Sequence, residues 1–74
     1  MNPKESKLKR IRIANGFTQE QLAEIAGVNI KSLASYEQAD EKLSKASVAT
    51  VIKLADSLGC TVEDLIDRKY IERV

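Results

Sequence analysis

The sequence predicts an all-α chain, a compact bundle of five short helices, and three observations carry that expectation. Apolar residues recur three and four positions apart through most of the chain, the spacing of one helix face. Gly16, Gly27 and Gly59 interrupt it at about the interval of helical hairpins, which favours helices over any sheet. Thr18, Asn29, Ser47 and Thr61 stand just ahead of apolar-periodic segments, where a side-chain oxygen satisfies free backbone N–H groups. The 74 residues suffice for one small domain, expected to span 1–74 with a core from about 5 to 67 and a tail from 68 to 74.

Residues 1 to 4 read as a frayed end. The first helix is expected from about Glu5 to Asn15, with Leu8, Ile11 and Ala14 facing the core and Gly16 closing it. Ile13 lies off that line, either as rim core or as a contact to a neighbouring element. The second helix, Gln19 to Ala26, opens with a capping box of Thr18 and Gln21. Phe17 and Leu22 occupy its hydrophobic-staple positions, and Leu22, Ile25 and Ala26 form its apolar face. Gly27 ends it. Asn29 caps the third, Ile30 to Glu37, whose inward residues are Leu33 and Tyr36. Ala23 is small where the third helix must cross the second.

Residues 38 to 47 are mostly polar, with Leu43 and Ala46 among the exceptions, and read as a loop. Ser47 caps a fourth helix with Val48, Val51, Ile52, Ala55 and Leu58 as its apolar stripe, and Gly59 ends it. Thr61 caps a short fifth helix, with Asp64 at the third position and Cys60 and Leu65 at the staple positions.

Composition narrows the function. Histidine is absent and Cys60 is the only cysteine, so the commonest general base is missing and no intrachain disulfide or cysteine-based metal cluster can form. Cys60 is most simply a small buried hydrophobe. Glu63, Asp64 and Asp67 look like helix-start and surface charges, so no enzyme, cofactor, metal or small-molecule ligand is expected. No apolar run approaches the roughly 20 residues that span a bilayer, and the charged start has no signal-like apolar region. The cytoplasm is the expected location.

The net charge is only +1, but it is unevenly placed. Lys4, Lys7, Lys9, Arg10 and Arg12 face a single acid, Glu5, in the first dozen residues, whereas acids slightly outnumber bases beyond Glu37. One DNA-facing side fits that distribution, and so does an ordinary mixed surface.

The second and third helices, with one Gly near their join, have the pattern of a helix-turn-helix. Gln19, Leu22, Ala23, Ala26, Gly27, Val28, Leu33 and Tyr36 resemble the helix-turn-helix of the phage-repressor-like family, that of the Cro and C1 repressors (the XRE family). Arg12, the run Gly16-Phe17-Thr18-Gln19 and Glu37 fit as well. The likeness extends over residues 7 to 67. It implies a lambda-repressor-like fold and a sequence-specific transcriptional regulator, in most cases a repressor, of bacterial, prophage or mobile-element origin. A protein-interaction module or antitoxin with the same fold and weak DNA binding is the alternative.

In a helix-turn-helix the second helix enters the major groove and its N-terminal residues meet base edges. With Leu33 and Tyr36 inward, the opposite face carries Asn29, Ile30, Lys31, Ser32 and Ser35, the candidate base-reading set. By resemblance, Asn29, Ile30, Lys31 and Ser35 hold the family's base-reading positions. Lys31 can donate to guanine or to a phosphate. Asn29 is either a base reader or the helix cap, and Ile30 either touches a thymine methyl or packs on the rim. The resemblance places Gln19 on the DNA backbone, and Lys9, Arg10, Lys42, Ser44 and Lys45 are further phosphate candidates. It also pairs Arg12 with Glu37 in a structural ion pair. Double-stranded DNA is thus the expected partner and a homodimer the expected state. Tyr70, Ile71 and Val74 are candidate dimer contacts, unless the tail packs on its own domain.

Overall fold

A computed structural model describes residues 6–67 and residue 70. Among the described residues six helices follow one another: α1 (Lys7–Ala14), α2 (Gln19–Ala26), α3 (Ile30–Tyr36), α4 (Asp40–Ser44), α5 (Val48–Leu58) and α6 (Val62–Leu65). Among the described residues there is no strand, and no helix is long and apolar enough to cross a membrane.

The start signals act locally. Ser6 Oγ accepts from the Lys9 N–H, Ser47 Oγ from Thr50 and Asn29 Oδ1 from Lys31. Thr18 with Gln21, and Thr61 with Asp64, complete reciprocal capping boxes. The stop at Gly27 shows why glycine stands there. Its φ is +69°, which lets the Val28 N–H reach the Ala23 carbonyl at 2.9 Å. A side chain would meet no neighbour within 4 Å, so the demand comes from the backbone alone.

The core is built on one leucine from every helix. Leu8, Leu22, Leu33, Leu43, Leu54 and Leu65 all have zero exposure. Ala23, Ala26, Val51, Ala55, Leu58 and Ile66 fill the space around them, and Phe17, Val28, Tyr36 and Tyr70 pack on the outside. α2 lies against both α3 and α5, which holds the helix-turn-helix on the rest of the bundle.

Four expectations are corrected. The stretch 38–47 is not all loop: Asp40–Ser44 form α4, making six helices where five were expected. Leu43 is its anchor, while Asp40 and Glu41 sit in the first turn, where negative charge suits the helix dipole. A helix of five residues is too short to show a period. Ala14, at the end of α1, is exposed. Ile25 is 56% exposed, so α2 turns Leu22, Ala23 and Ala26 inward instead. On α5 the buried line is Val51, Leu54, Ala55 and Leu58; Ile52 lies to its side and Val48 beyond its end, 44% and 73% exposed. Both lines are apolar in sequence, and only tertiary packing chooses between them.

Candidate nucleic-acid interface

The third helix is held from both ends. At its head, Asn29 Oδ1 accepts from the N–H groups of Lys31 (2.8 Å) and Ser32 (3.3 Å), so Asn29 caps α3 and keeps its amide N–H groups for other partners. At its foot, the Glu37 carboxylate receives the Arg12 guanidinium as a fork, Nε to Oε2 at 2.6 Å and Nη2 to Oε1 at 3.1 Å. Both residues are buried, at 9% and 5% exposure. Arg12 Nη1 also donates to the Phe17 carbonyl at 2.7 Å, so one guanidinium links α1, the entry to α2 and the end of α3. Gln19 Nε2 adds a third donor to the carboxylate, 3.0 Å from Glu37 Oε1. No buried side-chain polar atom among the described residues lacks a partner.

With its foot fixed, α3 turns Leu33 inward and leaves Asn29, Ile30 and Lys31 exposed; Ser32, Ser35 and Tyr36 are half-buried. Ile30 and Gln19 border one open hollow of about 490 Å³, lined also by Arg12, Phe17, Thr18 and Glu20. A base-reading candidate and a phosphate candidate are thereby brought to the same place.

The other phosphate candidates are dispersed. Arg10 lines a different hollow, with Lys7, Ile11, Ala14 and Asp64. It stands two residues from Arg12, about 200° round the helix, while Lys9 falls about 60° from it. Lys42 and Ser44 lie within α4 and Lys45 at its end. Lys42 Nζ donates to Gln38 Oε1, Ser44 Oγ donates to the Glu41 carbonyl, and Lys45 stands 4.0 Å from Glu41. Of the acids beside them, Asp40 turns away, because its Oδ1 accepts from the Lys7 N–H at 2.8 Å and caps α1 from across the fold. Lys7 Nζ pairs in turn with Asp67, a hydrogen bond that raises its pKa above the ordinary 10.5.

Tyr70 is half-buried against the core and lines an apolar groove of about 330 Å³ with Ser44, Ala46, Val48, Val51, Val62 and Ile66. Ile71 and Val74 lie outside the described residues. Cys60 is half-buried on the core, and burial, with Asp64 nearby, pushes its thiol above the ordinary value.

Sequence reasoning missed three contacts: Asp40 on α1, Arg12 on the Phe17 carbonyl and Gln19 on Glu37. The first and last join residues 33 and 18 positions apart, and no local spacing encodes them.

Two helices crossing at a short glycine turn, the second presenting exposed Asn29, Ile30 and Lys31 at its head, define a helix-turn-helix protein. The family model described as helix-turn-helix matches residues 8–65, and the chain belongs to that family, the Cro/C1 or XRE type of DNA-binding regulators. No curated protein and no solved structure matches it significantly.

Proposed function

We propose that this protein is a sequence-specific transcriptional regulator, acting as a repressor in the cytoplasm by occupying a promoter as a homodimer. The observation that carries the reading is the family match over residues 8–65 together with the exposure of Asn29, Ile30 and Lys31 at the head of α3. In this reading α3 enters the major groove. Lys31 donates to guanine O6 or N7, the Asn29 amide donates to an acceptor edge, and Ile30 touches a thymine methyl. Ser32 and Ser35 are short and reach bases at close approach or through water. No bidentate Arg or Gln stands in the set, so DNA shape supplies part of the specificity.

Gln19, at the first position of α2, takes a phosphate. Lys9 joins it, since it lies on the Arg12 side of α1, where Arg10 does not. Lys42, Ser44 and Lys45 meet the backbone from α4. Two copies place their third helices in successive turns of the groove, about 34 Å apart. Because Tyr70 packs on its own core, the dimer contact falls to Ile71, Val74 and the exposed rim of the Val48 groove.

Selection from random duplex DNA at two salt concentrations tests this. An enriched pseudo-palindrome bound less tightly as salt rises is expected. Absence of binding at both salts refutes it and favours a protein-interaction role, for which exposed Ile13, Ile25, Val48 and Ile52 supply apolar surface.

A further inference from the structure

The Glu37 carboxylate serves two elements at once. Arg12 engages both of its oxygens, and Oε1 accepts a further hydrogen bond from Gln19 Nε2 at 3.0 Å. A carboxylate offers only acceptors, so the Gln19 carboxamide must turn its nitrogen, not its oxygen, toward Glu37. One of the two amide N–H groups is used there and the second is left. Gln19 is also the first residue of α2, where its own backbone N–H and that of Glu20 have no carbonyl one turn back to bond. The Gln21 N–H is already taken by Thr18 Oγ1.

We propose that Glu37 is a positioning residue for DNA-backbone binding: it locks the Gln19 side chain with a donor, not lone pairs, available to a phosphate, and so ties that contact to the end of the recognition helix. The inference rests on reading Gln19 as a phosphate contact. Without Glu37 the carboxamide rotates, offers its oxygen as readily as its nitrogen, and must be ordered anew on binding. Arg12 makes the arrangement tolerable to an anion, because its guanidinium neutralises the carboxylate that lies behind Gln19. Its third bond, to the Phe17 carbonyl, fixes where α2 begins. The phosphate contact and the reading helix are therefore set by one side-chain cluster.

The test measures affinity of the full chain for its selected duplex, for wild type, Gln19→Ala, Glu37→Gln and the double variant, with a melting temperature for each. Single phosphates are also replaced in turn by neutral methylphosphonate. Gln19→Ala loses its bond to Glu37 and is expected to melt below wild type yet stay folded at 25 °C, and to bind about tenfold more weakly, the size of one hydrogen bond to a charged group. One methylphosphonate position should weaken wild type comparably and erase the difference between wild type and Gln19→Ala. The double variant should bind no more weakly than Glu37→Gln alone. Losses that multiply in the double variant, or Gln19→Ala binding like wild type, overturn the inference while leaving DNA binding intact. If Glu37→Gln melts too low to assay, nitrogen-15 NMR of the Gln19 side-chain amide in wild type decides. Two amide protons separated by more than those of exposed Gln38, whose carboxamide oxygen accepts from Lys42, support the lock. Coincidence with the Gln38 pattern overturns it. Selection of no duplex at all refutes the regulator reading itself and takes this inference with it.

Discussion

Replacing Arg12 by Ala strands a carboxylate that has nowhere to go. Glu37 is 5% exposed and keeps only the Gln19 amide as a partner once the guanidinium is removed. The Phe17 carbonyl loses its donor in the same step. Breaking one side of a buried pair costs about 3–5 kcal/mol, because the surviving charge must be desolvated, neutralised or let out. A domain of this size holds few more than about 5 kcal/mol in total. At roughly 4–8 °C per kcal/mol, the melting temperature should fall by at least about 12 °C, and the variant should be partly unfolded near 37 °C. Thermal unfolding followed by circular dichroism measures this directly. Removing both charges with shape-matched side chains, Arg12→Met with Glu37→Leu, should restore most of the loss, since no unpaired charge remains. The reasoning is refuted if Arg12→Ala melts within about 3 °C of wild type, a shift below 1 kcal/mol.

Three further outcomes follow from the same structure. Leu54→Ala should cost about 2–5 kcal/mol in urea unfolding and Ile52→Ala less than about 0.5, because the first is fully buried and the second is not. Gly27→Ala should cost about 1–2 kcal/mol with no change in the fold, since only the left-handed backbone resists a methyl group there. Asp64 has its carboxyl held below the ordinary 3.8 by hydrogen bonds from the Thr61 backbone and hydroxyl, so it contributes stability above that pH that fades as pH falls through its lowered value. Asp64→Asn should therefore flatten the acid limb of the stability profile while leaving the alkaline limb unchanged.

What was legible in the sequence is what chemistry writes within one turn of chain. Thr18 with Gln21, Thr61 with Asp64, Asn29, Ser47 and the glycine stops act on neighbours two to five residues away, and they appear where expected. The second and third helices were legible for that reason. The phase of α5 was not, because Ile52 and Leu54 are both apolar and only the placement of α2 and α6 against it decides which is covered. α4 was hidden by its length: one leucine among charged residues carries no period, and its burial depends on elements elsewhere in the chain. Within the candidate site, Arg12 and Glu37 were found by likeness to a family. The Gln19 link to Glu37 depends on the tertiary placement of α2 beside α3, and nothing near Gln19 in the chain announces it.

The one-leucine-per-helix core has a consequence for how the molecule comes apart. Six leucines in one core knot tie each helix to its neighbours, so lifting one helix uncovers the leucines packed against it. Unfolding should be all-or-none, with the slowest-exchanging amide protons of α1, α2 and α5 sharing one limit. The outward residues of α3 take no part in that knot. Ile30 and Lys31 are therefore free to be exchanged for other side chains without loosening the scaffold, and a new binding preference would come at almost no expense in foldedness.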